Sequence, residues 1–145
     1  MFLGRAEITM DEKGRITFPV RFRDIVSDKG AFITKGFDDN LIIVDSERYM
    51  DFSNKLSQMS TLDDEAQQTR RDWYSLAAEV TLDSAGRFLL QPYLRIAASL
   101  ENTVTFVGMG TYLELWNPTL LAARDSAPRG KEALMQRYHD LNLTL

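Results

Sequence analysis

Residues 6–45 lie over residues 78–117 without a gap, at an offset of 72 positions. Ten of those forty positions are identical: Ala6/Ala78, Glu7/Glu79, Thr9/Thr81, Asp11/Asp83, Gly14/Gly86, Arg15/Arg87, Arg23/Arg95, Ser27/Ser99, Gly36/Gly108 and Leu41/Leu113. Apolar positions coincide as well, among them Ile8/Val80, Ile16/Phe88, Phe18/Leu90, Phe22/Leu94 and Ile43/Leu115. The plainer alternative is two amphipathic segments of unrelated origin, and identities falling in step with the apolar pattern speak against it. A unit of about 40 residues with four short strands does not bury its apolar face alone. Two such units in 145 residues are expected to share one pseudo-twofold β core, with helices at its periphery.

Each copy has the same grammar. A strand (Ala6–Met10 or Ala78–Leu82) leads into Asp11-Glu12-Lys13-Gly14 or Asp83-Ser84-Ala85-Gly86. Asp at the first position and Gly at the fourth suit a type I turn, with Gly supplying a positive φ. A second strand follows over Arg15–Phe18 or Arg87–Leu90, then a short helix starting near Pro19 or Pro92. A hairpin closes each copy, with strands at Ala31–Lys35 and Leu41–Val44 or Thr103–Val107 and Tyr112–Trp116, and with Gly36 or Gly108 at the bend. Between the copies, Asp45 or Ser46 caps a helix with Tyr49, Phe52, Leu56 and Met59 at helical spacing. Thr61-Leu62-Asp63-Asp64 resembles a capping box for a helix running through Trp73 and Leu76. Asn117-Pro118 caps a helix over Thr119–Arg124, Ala127-Pro128-Arg129-Gly130 interrupts it, and Lys131–Leu141 is a weaker final helix. The boundaries are therefore 1–46, first repeat; 47–77, helical linker; 78–117, second repeat; 118–145, C-terminal helix and tail.

The two Asp-x-x-Gly-Arg motifs carry the sharpest chemistry. A hairpin turn presents Lys13 and Arg15 at one end of a rigid core, and a guanidinium suits bidentate contact with phosphate or with guanine O6 and N7. Arg21 and Arg23 extend that patch. Asp11, Gly14, Asp83 and Gly86 are read as turn residues. Arg87 is the second motif's counterpart to Arg15, with Ser84 and Ala85 replacing Glu12 and Lys13 around it. Arg23 and Arg95 have an alternative role, in bonds to neighbouring carbonyls or acids.

Composition excludes several classes. Apolar residues are 44% and charged residues 26%, a globular balance that rules out wholesale disorder. With no cysteine there is neither a disulfide scaffold nor a thiolate metal site. No apolar run approaches the roughly 18 residues that span a bilayer, and the N-terminus does not read as a signal peptide, so a soluble, intracellular protein is expected. The single histidine, His139, lies in the tail, and no Ser/His/Asp set or GxxxxGK phosphate loop is present. No enzyme, cofactor or metal site is expected. The formal net charge of −4 argues against a nucleic-acid partner taken alone. Its distribution argues otherwise: residues 1–36 carry seven basic against five acidic groups, and residues 37–72 carry four against nine.

The opening Met1-Phe2-Leu3-Gly4, followed by Asp11-Glu12-Lys13-Gly14-Arg15-Ile16-Thr17-Phe18-Pro19-Val20-Arg21-Phe22-Arg23, resembles the N-terminal signature of the MraZ family. Asp83–Leu90, Val107-Gly108 and Glu114-Leu115-Trp116 resemble its second half, so the likeness covers residues 1–117. The resemblance implies tandem AbrB-like swapped-hairpin repeats forming one β-barrel core. It further implies a homo-oligomeric ring that binds direct repeats in double-stranded promoter DNA, upstream of the division and cell-wall operon. It implies a cytoplasmic, nucleoid-associated transcriptional regulator, with the family's Asp-x-x-x-Arg motif falling on Asp11/Arg15 and Asp83/Arg87. The chain departs from that pattern in its second motif, where Pro92 comes one position late and Tyr93 replaces the counterpart of Arg21. The expectation is that the first motif contacts DNA and the second mainly completes the fold or ring. The competing reading is an oligomeric protein-interaction scaffold, working through the acidic 38–72 region, with incidental DNA binding.

Overall fold

A computed structural model describes residues 1–127 and 129–143. The chain is mixed α+β. Strands β1 (Arg5–Thr9), β3 (Ala31–Lys35), β4 (Leu41–Asp45), β5 (Ala78–Glu79), β7 (Thr103–Gly108) and β8 (Leu113–Trp116) form one antiparallel sheet in the order β1-β7-β8-β4-β3-β5. Strands β2 (Arg15–Thr17) and β6 (Arg87–Leu89) pair separately as a two-stranded ribbon. The helices are α1 (Ser46–Ser57), α2 (Asp64–Arg70, continuing as a π turn over Arg71–Ser75), α3 (Pro92–Ala97), α4 (Pro118–Asp125) and α5 (Lys131–Asp140).

Burial follows the alternation of side chains along each strand. At the β1 edge Arg5, Glu7 and Thr9 are exposed, while Ala6 and Ile8 are half-buried. The central strand β4 is covered on both faces, so Leu41-Ile42-Ile43-Val44 reads as a continuous apolar run. Leu41 and Ile43 face the main core, which the ribbon closes with Ile16 and Phe88. Phe18 lies at its centre, with ring centroids 5.6 Å from Phe88 and 5.4 Å from Phe106. On the other face of β4, Ile42 and Val44 meet Tyr49, Leu56 and Trp73. There Phe32, Tyr49 and Trp73 stack at 4.4 and 4.7 Å. The Trp73 indole donates to Ser53 Oγ at 2.9 Å, so the buried N–H has an acceptor. A third cluster joins Val107 and Trp116 to Leu121 of α4.

Strands from the two halves of the chain are interleaved. β1 pairs with β7, and β3 with β5. In the ribbon Arg15 faces Leu89, Ile16 faces Phe88 and Thr17 faces Arg87. In the sheet Leu41 faces Leu115, Ile42 faces Glu114 and Ile43 faces Leu113. Both registers are centred on residues 72 apart. The outer pairings are less alike: Ala6 faces Phe106, whereas Ala78 faces Ile33, one residue short of the equivalent register.

Several expectations are corrected. No closed barrel is found among the described residues; β1 and β5 are the sheet's edges. Among the described residues β1 pairs only with β7, and β5, two residues long, pairs only with β3, so no ladder joins the two edges. The short helices expected near Pro19 and Pro92 are present, the first as a 3-10 helix over Val20–Ile25 and the second as α3. Asp63, not Thr61, caps α2 by accepting from Glu65 N. On α1 the buried positions are Tyr49, Ser53 and Leu56, with Phe52 39% and Met59 50% exposed. Gly108 lies inside β7 rather than at the bend, since the N-terminal segment crosses it: a Cβ there would stand 2.6 Å from the backbone of Phe2. Asp45 and Asn117 cap α1 and α4 as expected. Pro128 lies outside the described residues, as do Thr144 and Leu145 at the end of the tail.

Candidate nucleic-acid interface

The ribbon is built at both ends in the same way. In the first turn Gly14 N–H donates to the Asp11 carbonyl at 3.0 Å, and Gly14 takes φ +85°. In the second, Gly86 N–H donates to the Asp83 carbonyl at 3.0 Å, at φ +75°. Each aspartate accepts two backbone N–H bonds through Oδ1, from Lys13 and Arg15 or from Ala85 and Arg87, all at 2.9 Å. Oδ2 is left for the arginine side chain: Arg15 Nε donates to Asp11 at 2.7 Å and Arg87 Nε to Asp83 at 3.0 Å. The backbone N–H of Arg15 is the main force holding the Asp11 carboxyl below its ordinary value, and that of Arg87 does the same for Asp83. Both carboxylates therefore stay charged at neutral pH.

Among the described residues no hydrogen bond engages a terminal nitrogen of Arg15 or Arg87, so the clamp at Nε leaves each guanidinium a two-pronged fork for a ligand. The pairs are about one-third exposed, so as ion pairs they contribute little stability. Their effect is orientation: a fork held before a ligand arrives loses less side-chain entropy on binding. Because Ile16 and Phe88 point into the core, period-two alternation places Arg15, Thr17, Arg87 and Leu89 together on the outward face. Strand rise and spacing put the two arginine Cα atoms about 8 Å apart, diagonally across the ribbon.

Behind each turn sits an arginine from the other half of the chain. A Cβ on Gly86 would lie 2.5 Å from Arg23 Nη2, and one on Gly14 would lie 3.1 Å from Arg95 Cζ. Arg23 Nε donates to the Phe18 carbonyl at 2.9 Å, whereas Arg95 Nε is buried with no hydrogen-bond partner among the described residues. At Gly86 a Cβ would displace the guanidinium, and at Gly14 it would crowd it, so glycine suits both approaches.

Of the expected DNA-contacting residues, Arg15 and Arg87 come together on one face, and exposed Lys13 crowns the turn beside Arg15. Arg23 is drawn behind the second turn and takes the role of bonding a carbonyl. Arg21 is exposed but tied to the N-terminal segment, donating to the Arg5 carbonyl with its guanidinium carbon 5.0 Å from the Phe22 ring centroid. Asp11, Gly14, Asp83 and Gly86 occupy the turns. Thr17 and Leu89 escape a reading that follows charge; strand alternation around Ile16 and Phe88 was the signal for them.

These features define a small α+β protein that presents a rigid two-stranded ribbon bearing a pair of aspartate-clamped arginines. Its sequence matches the family model described as "MraZ protein, putative antitoxin-like" over residues 1–72 and 74–121. The chain belongs to the MraZ family, as its signature motifs implied. It is 37% identical over 124 residues to a protein of Thermomicrobium roseum named Transcriptional regulator MraZ, covering 86% of this chain and 87% of that one. Proteins of the same name from a Roseiflexus species and from Burkholderia vietnamiensis are each 35% identical over 130 residues, covering 87% and 88% of this chain and 90% and 89% of theirs. No helix among the described residues is long and apolar enough to cross a membrane.

Proposed function

We propose that this chain is a non-enzymatic transcriptional regulator that binds double-stranded DNA through the outward face of the β2–β6 ribbon, without a cofactor. One observation carries the reading: two guanidinium forks, each pre-set by an aspartate, stand on a rigid two-stranded ribbon. A ribbon of two strands fits the major groove, and arginine forks are suited to phosphate and to guanine edges. The two turns have matching geometry, so Arg87 takes part alongside Arg15, in place of the division of labour expected from their flanking residues. Lys13 and Arg21 add charge on the first side. Arg23 acts behind the second turn by supporting Gly86.

The finer reading follows the family. The chain is a tandem of AbrB-like swapped-hairpin repeats over 1–46 and 78–117, joined by 47–77 and followed by 118–145. Support comes from the two registers centred on residues 72 apart. The protein works as a homo-oligomeric ring in the cytoplasm, nucleoid-associated, on direct repeats upstream of the division and cell-wall operon. With each clamped arginine neutralised by its aspartate, and with a net charge of −4, a single copy offers little charge to phosphate. Linked copies on linked DNA sites raise effective concentration and so make modest contacts sufficient.

A gel-shift salt titration tests this reading, using the protein's own upstream DNA, wild type against Arg15→Ala, and one to four direct repeats. Affinity should climb with repeat number, fall steeply with salt, and collapse in the variant while its oligomer persists. No binding at low salt, or equal binding by both proteins, would move the search to protein partners. The scaffold reading, placed on the acidic 38–72 region, gains a second candidate surface in α5 and its C-cap, where Met135, Tyr138 and Leu141 are 60, 50 and 61% exposed.

A further inference from the structure

The ribbon's outward face carries two side chains besides the arginines, and they do not match. Arg15 stands directly opposite Leu89, and Arg87 directly opposite Thr17. Hydrogen bonds from Phe18 N to the Gly86 carbonyl and from Leu90 N to the Gly14 carbonyl flank the ribbon. In an antiparallel ladder this makes 15/89 and 17/87 the close, non-hydrogen-bonded pairs, with side chains side by side. Exchanging the two halves of the chain carries one fork onto the other but carries threonine onto leucine. The flanks differ in the same sense, with Lys13 against Ala85.

Leu89 is 51% exposed, while its neighbours Phe88 and Leu90 are 3% and 0%. The core is therefore supplied from either side of it, and Leu89 places an aliphatic surface beside the Arg15 fork. In the major groove the one apolar feature of a base edge is the C5 methyl of thymine, which is met by apolar side chains.

Resting on the DNA-binding reading above, we infer that Leu89 is a specificity-determining residue. It packs on a thymine methyl next to the base read by Arg15, and with Thr17 as its unlike counterpart it gives the pseudo-symmetric ribbon a direction along DNA. Arg15 and Arg87 contact equivalent edges, Thr17 donates or accepts a hydrogen bond on its side, and the site so read is not palindromic.

The experiment uses the full-length protein and duplexes bearing its own upstream repeats, with each thymine replaced singly by deoxyuridine, which removes only the methyl. Wild type should lose about fourfold affinity at one thymine position per repeat, the effect of one buried methyl. Leu89→Ala should bind more weakly overall, lose sensitivity at that position alone, and keep the wild-type salt dependence, since no phosphate contact is touched. Leu89→Ile should restore the sensitivity. Equal deoxyuridine effects in wild type and Leu89→Ala at every position, or an altered salt slope with no change at any thymine, overturn the inference while leaving DNA binding intact. Failure of wild type to bind the unmodified duplex at low salt overturns the reading beneath it.

Discussion

Gly86→Ala tests the packing that holds the second turn. At φ +75° an alanine is in the left-handed region, which costs roughly 1–2 kcal/mol. Its Cβ would also stand 2.5 Å from Arg23 Nη2 and 2.6 Å from Cζ, closer than real contacts allow. The obstructing group is the end of a flexible side chain, so Arg23 swings away and the turn survives. What is lost is the Nε bond to the Phe18 carbonyl, 2.9 Å in the native chain, for about another 1 kcal/mol. Gly86→Ala should therefore destabilise the protein by about 2–3 kcal/mol, measured by urea unfolding with an unchanged m-value. In an Arg23→Ala background the same substitution meets no guanidinium and should cost only the backbone part, leaving a coupling of about 1 kcal/mol between the two sites. Equal costs in the two backgrounds would refute the argument that Arg23 is braced against Gly86.

Three further outcomes are expected. Arg87→Ala should weaken DNA binding about as much as Arg15→Ala, tenfold or more by gel shift and with circular dichroism unchanged, which corresponds to about 1.4 kcal/mol or more; near wild-type binding by Arg87→Ala would restore the division of labour. Asp11 and Asp83 are held below the ordinary carboxylate value of 3.8, so the stability they contribute is present above about pH 4 and lost as pH falls through their folded values. Unfolding titrations between pH 7 and 3 should accordingly show a shallower acid loss for the Asp11→Asn/Asp83→Asn double variant than for wild type. Gly108→Ala should push away Phe2 and Leu3, breaking the paired bonds between Phe2 and Gly110 at 2.8 and 2.9 Å. Hydrogen exchange should then accelerate at those two amides and not at Ile43 in the sheet centre.

What could be read from the chain alone was local. The Asp11–Arg15 and Asp83–Arg87 turns depend on atoms within four residues of one another, so residue types at fixed spacing suffice to describe them. The hairpins at 31–45 and 103–116 were equally legible, because alternation and a short bend decide them. The 72-residue repeat led to the expectation of a core shared by both halves, but which strands pair across it was not legible. Nothing around Ala6–Ile8 indicates that it pairs with β7, nor that Phe2 crosses Gly108. Arg23 had two readings open because its neighbour, Gly86, lies 63 positions away, and only the interleaving of strands brings them together. Helical spacing pointed to Phe52 and Met59, but the Trp73 indole selects Ser53 by needing an acceptor, a demand that periodicity does not express. The barrel implied by the family gave way to an open sheet and a separate ribbon, since β5 is only two residues long and reaches no strand beyond β3 among the described residues.

The pairing of β1 with β7 also sets a schedule. On the ribosome, β1 is made first and its partner follows nearly a hundred residues later, an interval of about 5–20 s at ordinary synthesis rates. Until then the first half of the chain has a finished β3–β4 hairpin but no mate for β1, and for most of that interval no β6 to close the ribbon either. Long-range closures of this kind slow folding and leave strand edges open to other chains. The nascent protein is therefore most vulnerable to pairing with a neighbouring copy while its own second half is still being made.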